Sequence, residues 1–190
     1  FCRAYEHAMQ EAGGLDVQIQ AIGRTGHMGF DETGSSLGST TQMVRLDQVT
    51  RLDAASDFFG LEHVPQRAIT MGVGTILKAR KIILMAWGEG KAAIIRQAIE
   101  GEITESVPAT FLQRHPNCLY MLDEAAASSL TRINTPWMVG ECVWNDKLIK
   151  KATLWLSQHL GKAILKLTNE DYSEYGMGNL IAEIGSAEQI

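Results

Sequence analysis

Hydrophobic positions in the first two thirds of the chain follow strand-like spacing at four places. Residues 15–22 carry an apolar or small residue at every second position, which is typical of a β-strand with one buried face. In residues 81–87, KIILMAW, every residue after Lys81 is apolar, which predicts a strand that is covered on both faces of a parallel sheet. Shorter apolar runs predict two further strands at 67–72 and 118–123.

Helical spacing separates these strands. Helices are predicted at 1–12, 73–79, 91–101, 106–114 and 124–130. Strands that alternate with helices favour an α/β fold with a mainly parallel sheet and helices on both faces. Ligands of such sheets bind beyond the C-terminal ends of the strands, so the loops 23–35 and 88–91 are the predicted functional loops.

The pattern changes after residue 132. Residues 133–145 are rich in tryptophan and turn-forming residues, and residues 146–160 predict an amphipathic helix. Residues 166–184 predict a loop and a short final helix. The sequence therefore predicts two parts: a partial α/β domain at 1–132 and a helical extension or linker towards a further domain at 133–190.

Composition limits the classes of function. The 190 residues carry a net charge of −5 without clustered Lys or Arg, which argues against nucleic acid and acidic membranes as partners. No apolar run reaches the roughly 20 residues of a membrane span. Three widely spaced cysteines predict no disulfide framework and no zinc or other metal site, in keeping with the cytoplasm. No signal peptide is recognisable, and the opening residues FCRAYEHAMQ resemble the middle of a helix, as in a fragment of a longer polypeptide.

The first functional loop, IGRTGHMGFDETGSS at 22–36, combines four glycines with one histidine and two acids. His27 can accept and return a proton near neutral pH, and Glu32 lies close enough in sequence to orient it. Spacing alone favours a glycine-rich turn with an exposed histidine. The glycines do not match the dinucleotide-binding pattern G-x-G-x-x-G, and no cofactor is predicted.

The second functional loop, WGEGK at 87–91, leads into a helix. Gly88, Gly90 and Lys91 together suggest a phosphate-binding site at a helix N-terminus. The spacing does not match the P-loop pattern. An ordinary exposed lysine at the start of a helix explains Lys91 equally well.

Several segments in the same order resemble the glucosamine-6-phosphate deaminase family. The first is GRTGHMGFDETGSSLGSTT (23–41), which is similar to that family's active-site stretch. The likeness continues through VPQRAITMGVGTIL (64–77), KIILMAWGEGKA (81–92) and FLQRHPN (111–117), and it extends to about residue 132. The portion absent from the resemblance is the family's N-terminal half, with the carboxylate that transfers the proton between C1 and C2.

The resemblance implies a Rossmann-like fold and an activity on a phosphorylated amino sugar. The family converts glucosamine 6-phosphate and water to fructose 6-phosphate and ammonia. By resemblance, His27 is the acid/base that opens the sugar ring, Glu32 is its carboxylate partner and Lys91 binds the phosphate. Thr25 stands where the family has an aspartate. A homo-oligomer is left open.

Three further departures separate this chain from the family. Asp57 stands at the position of a phosphate-binding arginine, and Gln42 and Val44 replace basic residues that bind the allosteric effector. Asp31 replaces an asparagine. These changes predict a divergent member, and they leave two alternatives: a 6-phosphogluconolactonase-like hydrolase, or a catalytically weak regulatory domain that binds sugar phosphates.

Overall fold

The computed structural model describes all residues from 1 to 190, and these divide into two compact units, Phe1–Ser129 and Leu130–Ile190. The first unit contains five strands: β1 (Val17–Ala21), β2 (Gln42–Arg45), β3 (Arg67–Thr70), β4 (Lys81–Ala86) and β5 (Cys118–Leu122). Its helices are α1 (Cys2–Glu11), α2 (Gln48–Ala54), α3 (Val73–Ile76), α4 (Ala92–Glu100) and α5 (Glu124–Ala127). No helix of the chain has the length and apolar character needed to cross a bilayer.

Three of the strands form a parallel sheet in the order β1-β4-β5. The parallel arrangement brings the C-terminal ends of all three strands to one edge, where the two predicted functional loops begin. The predicted α/β class, with a parallel sheet and helices on both faces, is confirmed. In β4, however, only every second side chain is fully buried: Ile82, Leu84 and Ala86.

The predicted strand at 67–72 does not join the parallel sheet. It forms β3, which pairs with β2 in a separate antiparallel two-stranded sheet. The sequence did not indicate β2, because two polar residues, Gln42 and Arg45, occupy the ends of a four-residue strand. The helix α2 was also missed; it begins after Asp47, whose carboxylate caps the Gln48 amide.

The helix α4, which begins directly after Lys91, is held by its buried apolar face and by hydrogen bonds at its C-terminal end. Ala92, Ile94, Ile95 and Ala98 of α4 are buried. The predicted helix at 106–114 is a 3₁₀-helix at Pro108–Arg114 that packs on α4. Its Gln113 amide donates to the carbonyls of Ala98 and Gly101, each at 2.9 Å, and so closes the end of α4.

The second unit is helical: α6 (Thr131–Asn134), α7 (Asp146–Leu160), α8 (Asn169–Glu174) and α9 (Gly178–Ile184). The predicted helix at 146–160 is confirmed as α7. Asn145 caps its first turn, and Gly161, with φ +62°, ends it. Two helices stand where the sequence predicted one loop and one helix, because Thr168 and Asp171 form a capping box that starts α8.

The second unit has its own hydrophobic core. The buried residues are Trp137, Trp144, Ala152, Leu156, Leu167, Tyr172, Met177 and Leu180. The Tyr172 hydroxyl donates to Thr153 Oγ1 at 3.1 Å, so the buried phenol is satisfied. The interpretation of 133–190 as an extension towards a further domain stays a prediction.

Leu156→Ala tests how much this core contributes to the free energy of unfolding. Leu156 is fully buried on α7, so truncation should lower the free energy of unfolding by about 2–5 kcal/mol. The exposed Leu165 gives a matched control, since Leu165→Ala should change stability by less than about 0.5 kcal/mol. Urea unfolding followed by tryptophan fluorescence measures both. Equal effects of the two substitutions would contradict the assignment of the core.

Candidate active site

The glycine-rich loop after β1 is a folded turn. The Gly23 amide donates to the His27 carbonyl at 3.0 Å, and the Gly26 amide donates to the Gly23 carbonyl at 3.0 Å. Gly26 has φ +81°, a conformation that favours glycine. Its carbonyl accepts a 2.9 Å hydrogen bond from the Ala109 amide, which ties the loop to the 3₁₀-helix. The loop is therefore held by backbone contacts on both sides.

The imidazole of His27 is half-buried and has a defined orientation. Its Nδ1 lies 2.9 Å from the Gly29 carbonyl oxygen. A carbonyl only accepts hydrogen bonds, so Nδ1 carries the proton and Nε2 is the basic nitrogen of the neutral ring. The ring packs against Gly23: a Cβ at position 23 would lie 1.8 Å from Nε2. Position 23 must therefore be glycine for the ring to occupy this place.

Lys91 reaches the same edge of the sheet. Its Nζ donates to the Ile22 carbonyl at 2.7 Å, directly after the end of β1. Because Gly23 follows Ile22 and contacts the His27 ring, the structure brings Lys91 and His27 to the same short piece of backbone. The two residues lie 64 positions apart in the chain, and the parallel pairing of β1 with β4 is what joins them.

Gly88 and Gly90 differ in their surroundings. Gly88 has φ +84°, and its amide donates to both carboxylate oxygens of Asp123 at 3.1 Å. Asp123 also caps α5 through the Ala126 amide at 2.7 Å. The Gly88 amide is thus not free for a phosphate, contrary to the simplest form of the predicted site. Gly90 is exposed, with open space around its Cα.

Glu32 does not contact His27 in this structure. Its Oε2 accepts a 2.8 Å hydrogen bond from the Asp47 amide, at the start of α2, and its Oε1 is buried without a partner. The turn at 28–31, closed by the Asp31 amide and the Met28 carbonyl, separates Glu32 from the imidazole. Thr25 is half-buried, and its hydroxyl makes no hydrogen bond. The catalytic roles of Glu32 and Thr25 stay predictions.

Glu32 lies between two clefts. One has a volume of about 560 Å³, and its polar lining residues include Glu32, Arg45, Gln48 and Arg51. The second, of about 620 Å³, shares Glu32 and Arg45 and continues along the hydroxyl-rich residues 33–39. The sequence did not indicate Arg45 or Arg51, because neither belongs to a pattern with a recognisable chemistry.

Arg51 is held by backbone carbonyls. Its guanidinium donates to Leu61 O at 3.0 Å and to Val64 O at 3.4 Å, whereas its Nε is buried without a partner. Glu32 and Arg51 both line this cleft, and each has one polar atom, Oε1 and Nε respectively, that is buried without a hydrogen-bond partner.

Asp31 is the buried acid of the site. Its side chain is fully buried, and neither carboxyl oxygen has a hydrogen-bond partner. Burial raises the pKa of Asp31 to about 7, with a small opposing effect from the nearby Val73 amide, which itself donates to Ser39 Oγ. The sequence indicated only that Asp31 replaces the family's asparagine. It did not indicate that this side chain is buried, because nothing in the pattern distinguishes a buried from an exposed aspartate.

The predicted loss of a cation at position 57 leaves an exposed aspartate there. An arginine is nevertheless present on the His27 loop. Arg24 Nε donates to Asp53 Oδ2 at 3.0 Å, and Arg24 NH2 contacts the second oxygen of that carboxylate. This two-point ion pair raises the pKa of Arg24 through the Asp53 hydrogen bond, and it links the loop to α2.

The chain is similar in sequence to several known proteins. No family model matches the chain. A glucosamine-6-phosphate deaminase-like protein of Bacteroides thetaiotaomicron is 48% identical over all 190 residues, which cover 29% of that protein. A glucosamine-6-phosphate deaminase of Shewanella loihica is 49% identical over 129 residues, covering 68% of this chain and 48% of that protein. The chain therefore spans about half the length of the deaminases it matches.

Solved structures also include a glucosamine-6-phosphate deaminase that is similar to this chain. A monomeric glucosamine-6-phosphate deaminase is 41% identical, with a TM-score of 0.66 over 67% of this chain and 53% of that one. A 6-phosphogluconolactonase from Trypanosoma cruzi has a TM-score of 0.52 at 20% identity, over 68% of this chain and 51% of that one, a likeness of fold alone. Residues 133–190 have a counterpart in the Bacteroides protein.

Gly23→Ala tests the packing of the His27 ring. The new methyl group would overlap Nε2, so the imidazole must move and the free energy of unfolding should fall by about 1–3 kcal/mol. In Gly38→Ala the added methyl group meets no atom within 4 Å, so this control should leave stability nearly unchanged. NMR of the His27 ring protons measures the displacement. Unchanged ring shifts in Gly23→Ala would contradict the geometry.

Asp31→Asn tests the buried carboxyl. Because folding raises the pKa of Asp31 to about 7, the protonated acid is favoured in the folded state, and its stabilising effect is complete below the unfolded-state pKa. Stability should therefore fall by about 4 kcal/mol as pH rises from about 4 to above 7. An asparagine side chain cannot ionise, so this fall should disappear from urea titrations of the variant.

The control for this experiment is Asp57→Asn, which removes an exposed carboxylate and should keep the dependence on pH. A wild-type protein with equal stability at pH 5 and pH 8 would contradict the buried, protonated state of Asp31.

Proposed function

We propose that this chain, which is homologous to members of the glucosamine-6-phosphate deaminase family, forms the part of an amino-sugar phosphate isomerase/deaminase that carries the histidine loop and the lysine helix. The reaction is the conversion of glucosamine 6-phosphate and water to fructose 6-phosphate and ammonia, or a close variant of it. The observation that carries the proposal is the convergence of His27 and Lys91 at the end of β1.

The chemistry of His27 fits the first step. Opening a sugar hemiacetal removes a proton from the anomeric hydroxyl and delivers a proton to the ring oxygen. An imidazole whose Nδ1–H is bound to Gly29 offers Nε2 as a base that takes the first proton and returns one to the ring oxygen. The defined tautomer removes the need to reorient the ring between the two transfers.

Lys91 supplies the charge for the phosphate. An ammonium group has three donors, and the Ile22 carbonyl uses one of them. Two N–H donors are left for phosphate oxygens, beside the exposed backbone of Gly90. Gly88 contributes its backbone conformation, since its amide is bound to Asp123. A phosphorylated amino sugar is therefore the proposed small-molecule partner.

Glu32 and Thr25 orient the imidazole of His27 in this proposal. To act as the carboxylate partner of His27, Glu32 must exchange the Asp47 amide for the imidazole. Thr25 offers a hydroxyl and no charge, so it can orient the ring only through a hydrogen bond.

The proposal is tested with the 190 residues in their full-length polypeptide. Release of ammonia and formation of fructose 6-phosphate from glucosamine 6-phosphate should be measurable, and His27→Ala should lower kcat by about 10²–10⁴-fold. The control is His115→Ala, which removes an imidazole bound to the Ala79 carbonyl, away from the His27 loop, and should keep the activity. Activity that survives His27→Ala would refute the assigned role.

A regulatory sugar-phosphate-binding domain is the second candidate. It is favoured by the absence of a carboxylate on the His27 ring and by the aspartate at position 57. Glucosamine 6-phosphate that binds without turnover, and that is lost in Lys91→Ala, would select this candidate. Turnover of 6-phosphogluconolactone in place of the amino sugar would select the lactonase alternative.

A further inference from the structure

The peptide unit between Gly29 and Phe30 is bound at both of its polar groups. Its carbonyl oxygen, on Gly29, lies 2.9 Å from His27 Nδ1 and accepts the hydrogen bond of the imidazole. Its N–H, on Phe30, donates to Thr70 Oγ1 at 3.0 Å. The C=O and N–H of a trans peptide point in opposite directions within one rigid plane. The imidazole and the Thr70 hydroxyl therefore hold this plane from opposite sides.

The Thr70 hydroxyl is itself fixed in direction. Thr70 ends β3 and is buried, and its hydroxyl donates to the Met71 carbonyl at 3.1 Å. A hydroxyl has one proton, so the Oγ1 lone pairs are left to accept from the Phe30 N–H. Three hydrogen bonds thus run in one direction, from the imidazole through the peptide unit and the hydroxyl to the Met71 carbonyl.

Close packing supports the contact between Thr70 and the loop. Gly29 has φ +55°, and a Cβ at this position would lie 2.9 Å from Thr70 Oγ1. Glycine therefore allows the hydroxyl to approach the peptide unit at the one place where the imidazole is also bound. Through this contact the antiparallel sheet, which carries none of the predicted site residues, touches the histidine loop.

The electrostatic effect of this chain of hydrogen bonds reaches the ring. The Gly29 carbonyl is the only hydrogen-bond partner of the His27 imidazole. Successive hydrogen bonds polarise one another, so a peptide whose N–H is bound to a hydroxyl has a more strongly accepting carbonyl. A stronger acceptor at Nδ1 stabilises the positive charge that the ring gains when Nε2 takes a proton. A carboxylate performs this task in a Ser-His-Asp triad.

We propose that Thr70 is a positioning residue of the histidine loop. It fixes and polarises the Gly29–Phe30 peptide unit, and through that unit it holds His27 in its orientation with the proton on Nδ1. The consequence for reaction rate rests on the proposed function, whereas the consequence for the ring itself does not. A threonine that only anchored the loop would affect stability and leave the state of the imidazole unchanged.

The first test uses the full-length polypeptide with ¹⁵N-labelled histidine. Thr70→Val removes the hydroxyl and leaves the Phe30 N–H without its acceptor. The nitrogen shifts of neutral His27 should show the Nδ1–H form in the wild-type protein and a mixture of Nδ1–H and Nε2–H forms in Thr70→Val. Hydrogen exchange of the Phe30 amide should be at least about 10-fold faster in this variant. Thr70→Ser keeps the hydroxyl and should restore the wild-type spectrum.

The second test measures turnover of glucosamine 6-phosphate by the same proteins. Thr70→Val should lower kcat by about 10-fold, the effect of losing one hydrogen bond that acts on the transition state. The KM should stay within about twofold, because Thr70 does not contact Lys91, and Thr70→Ser should keep kcat within about twofold. A wild-type protein without turnover would refute the proposed function alone, since the nitrogen spectra still decide the role of Thr70.

Thr153→Val is the matched control in the helical unit. Thr153 is as buried as Thr70, and its Oγ1 accepts a hydrogen bond from the Tyr172 hydroxyl at 3.1 Å. Its loss should lower the Tm and leave the His27 spectrum and kcat unchanged. An unchanged His27 spectrum in Thr70→Val would overturn the proposal. A Thr70→Ser variant no better than Thr70→Val, or a Thr153→Val variant with the same spectral change, would also overturn it.

Discussion

The pairing of β1 with β4 is the contact on which the site depends. These strands lie about 60 residues apart in the chain, and their parallel register aligns Val17 with Lys81 and Ala21 with Met85. Both strands therefore end at the same level, and the loops that follow them start side by side. Without this register, the Lys91 ammonium could not reach the Ile22 carbonyl, and the histidine loop would have no cation beside it.

The loop itself combines rigid backbone with two unusual side chains. Its turn is held by hydrogen bonds of Gly23 and Gly26, so the position of His27 does not depend on the fit of a substrate. Asp31 ends the turn at 28–31, and burial raises the pKa of its carboxyl to about 7. Glu32 follows and accepts a hydrogen bond from the Asp47 amide at the start of α2. The two adjacent acids thus differ in their contacts: the Asp31 carboxyl has no hydrogen-bond partner, whereas Glu32 accepts one hydrogen bond from the Asp47 amide.

Much of the fold followed from the sequence because its strands are short, apolar and separated by helices. The strand β4 and the helix α7 were predicted within one or two residues, since each has a strong hydrophobic pattern. The strand β2 could not be predicted, because it is short and polar and forms only through its partner β3. For the site, sequence indicated His27 and Lys91, whereas the engagement of Glu32 with Asp47 and the burial of Asp31 depend on tertiary contacts.

The contact between Gly23 and His27 also has a consequence for how related sequences can vary. The imidazole occupies the space that a side chain at position 23 would need, so the two positions cannot change independently. A sequence that keeps the His27 ring in this place needs glycine at position 23, whereas a sequence without the histidine does not. A larger residue at position 23 therefore indicates a loop in which the histidine is absent or its ring lies elsewhere.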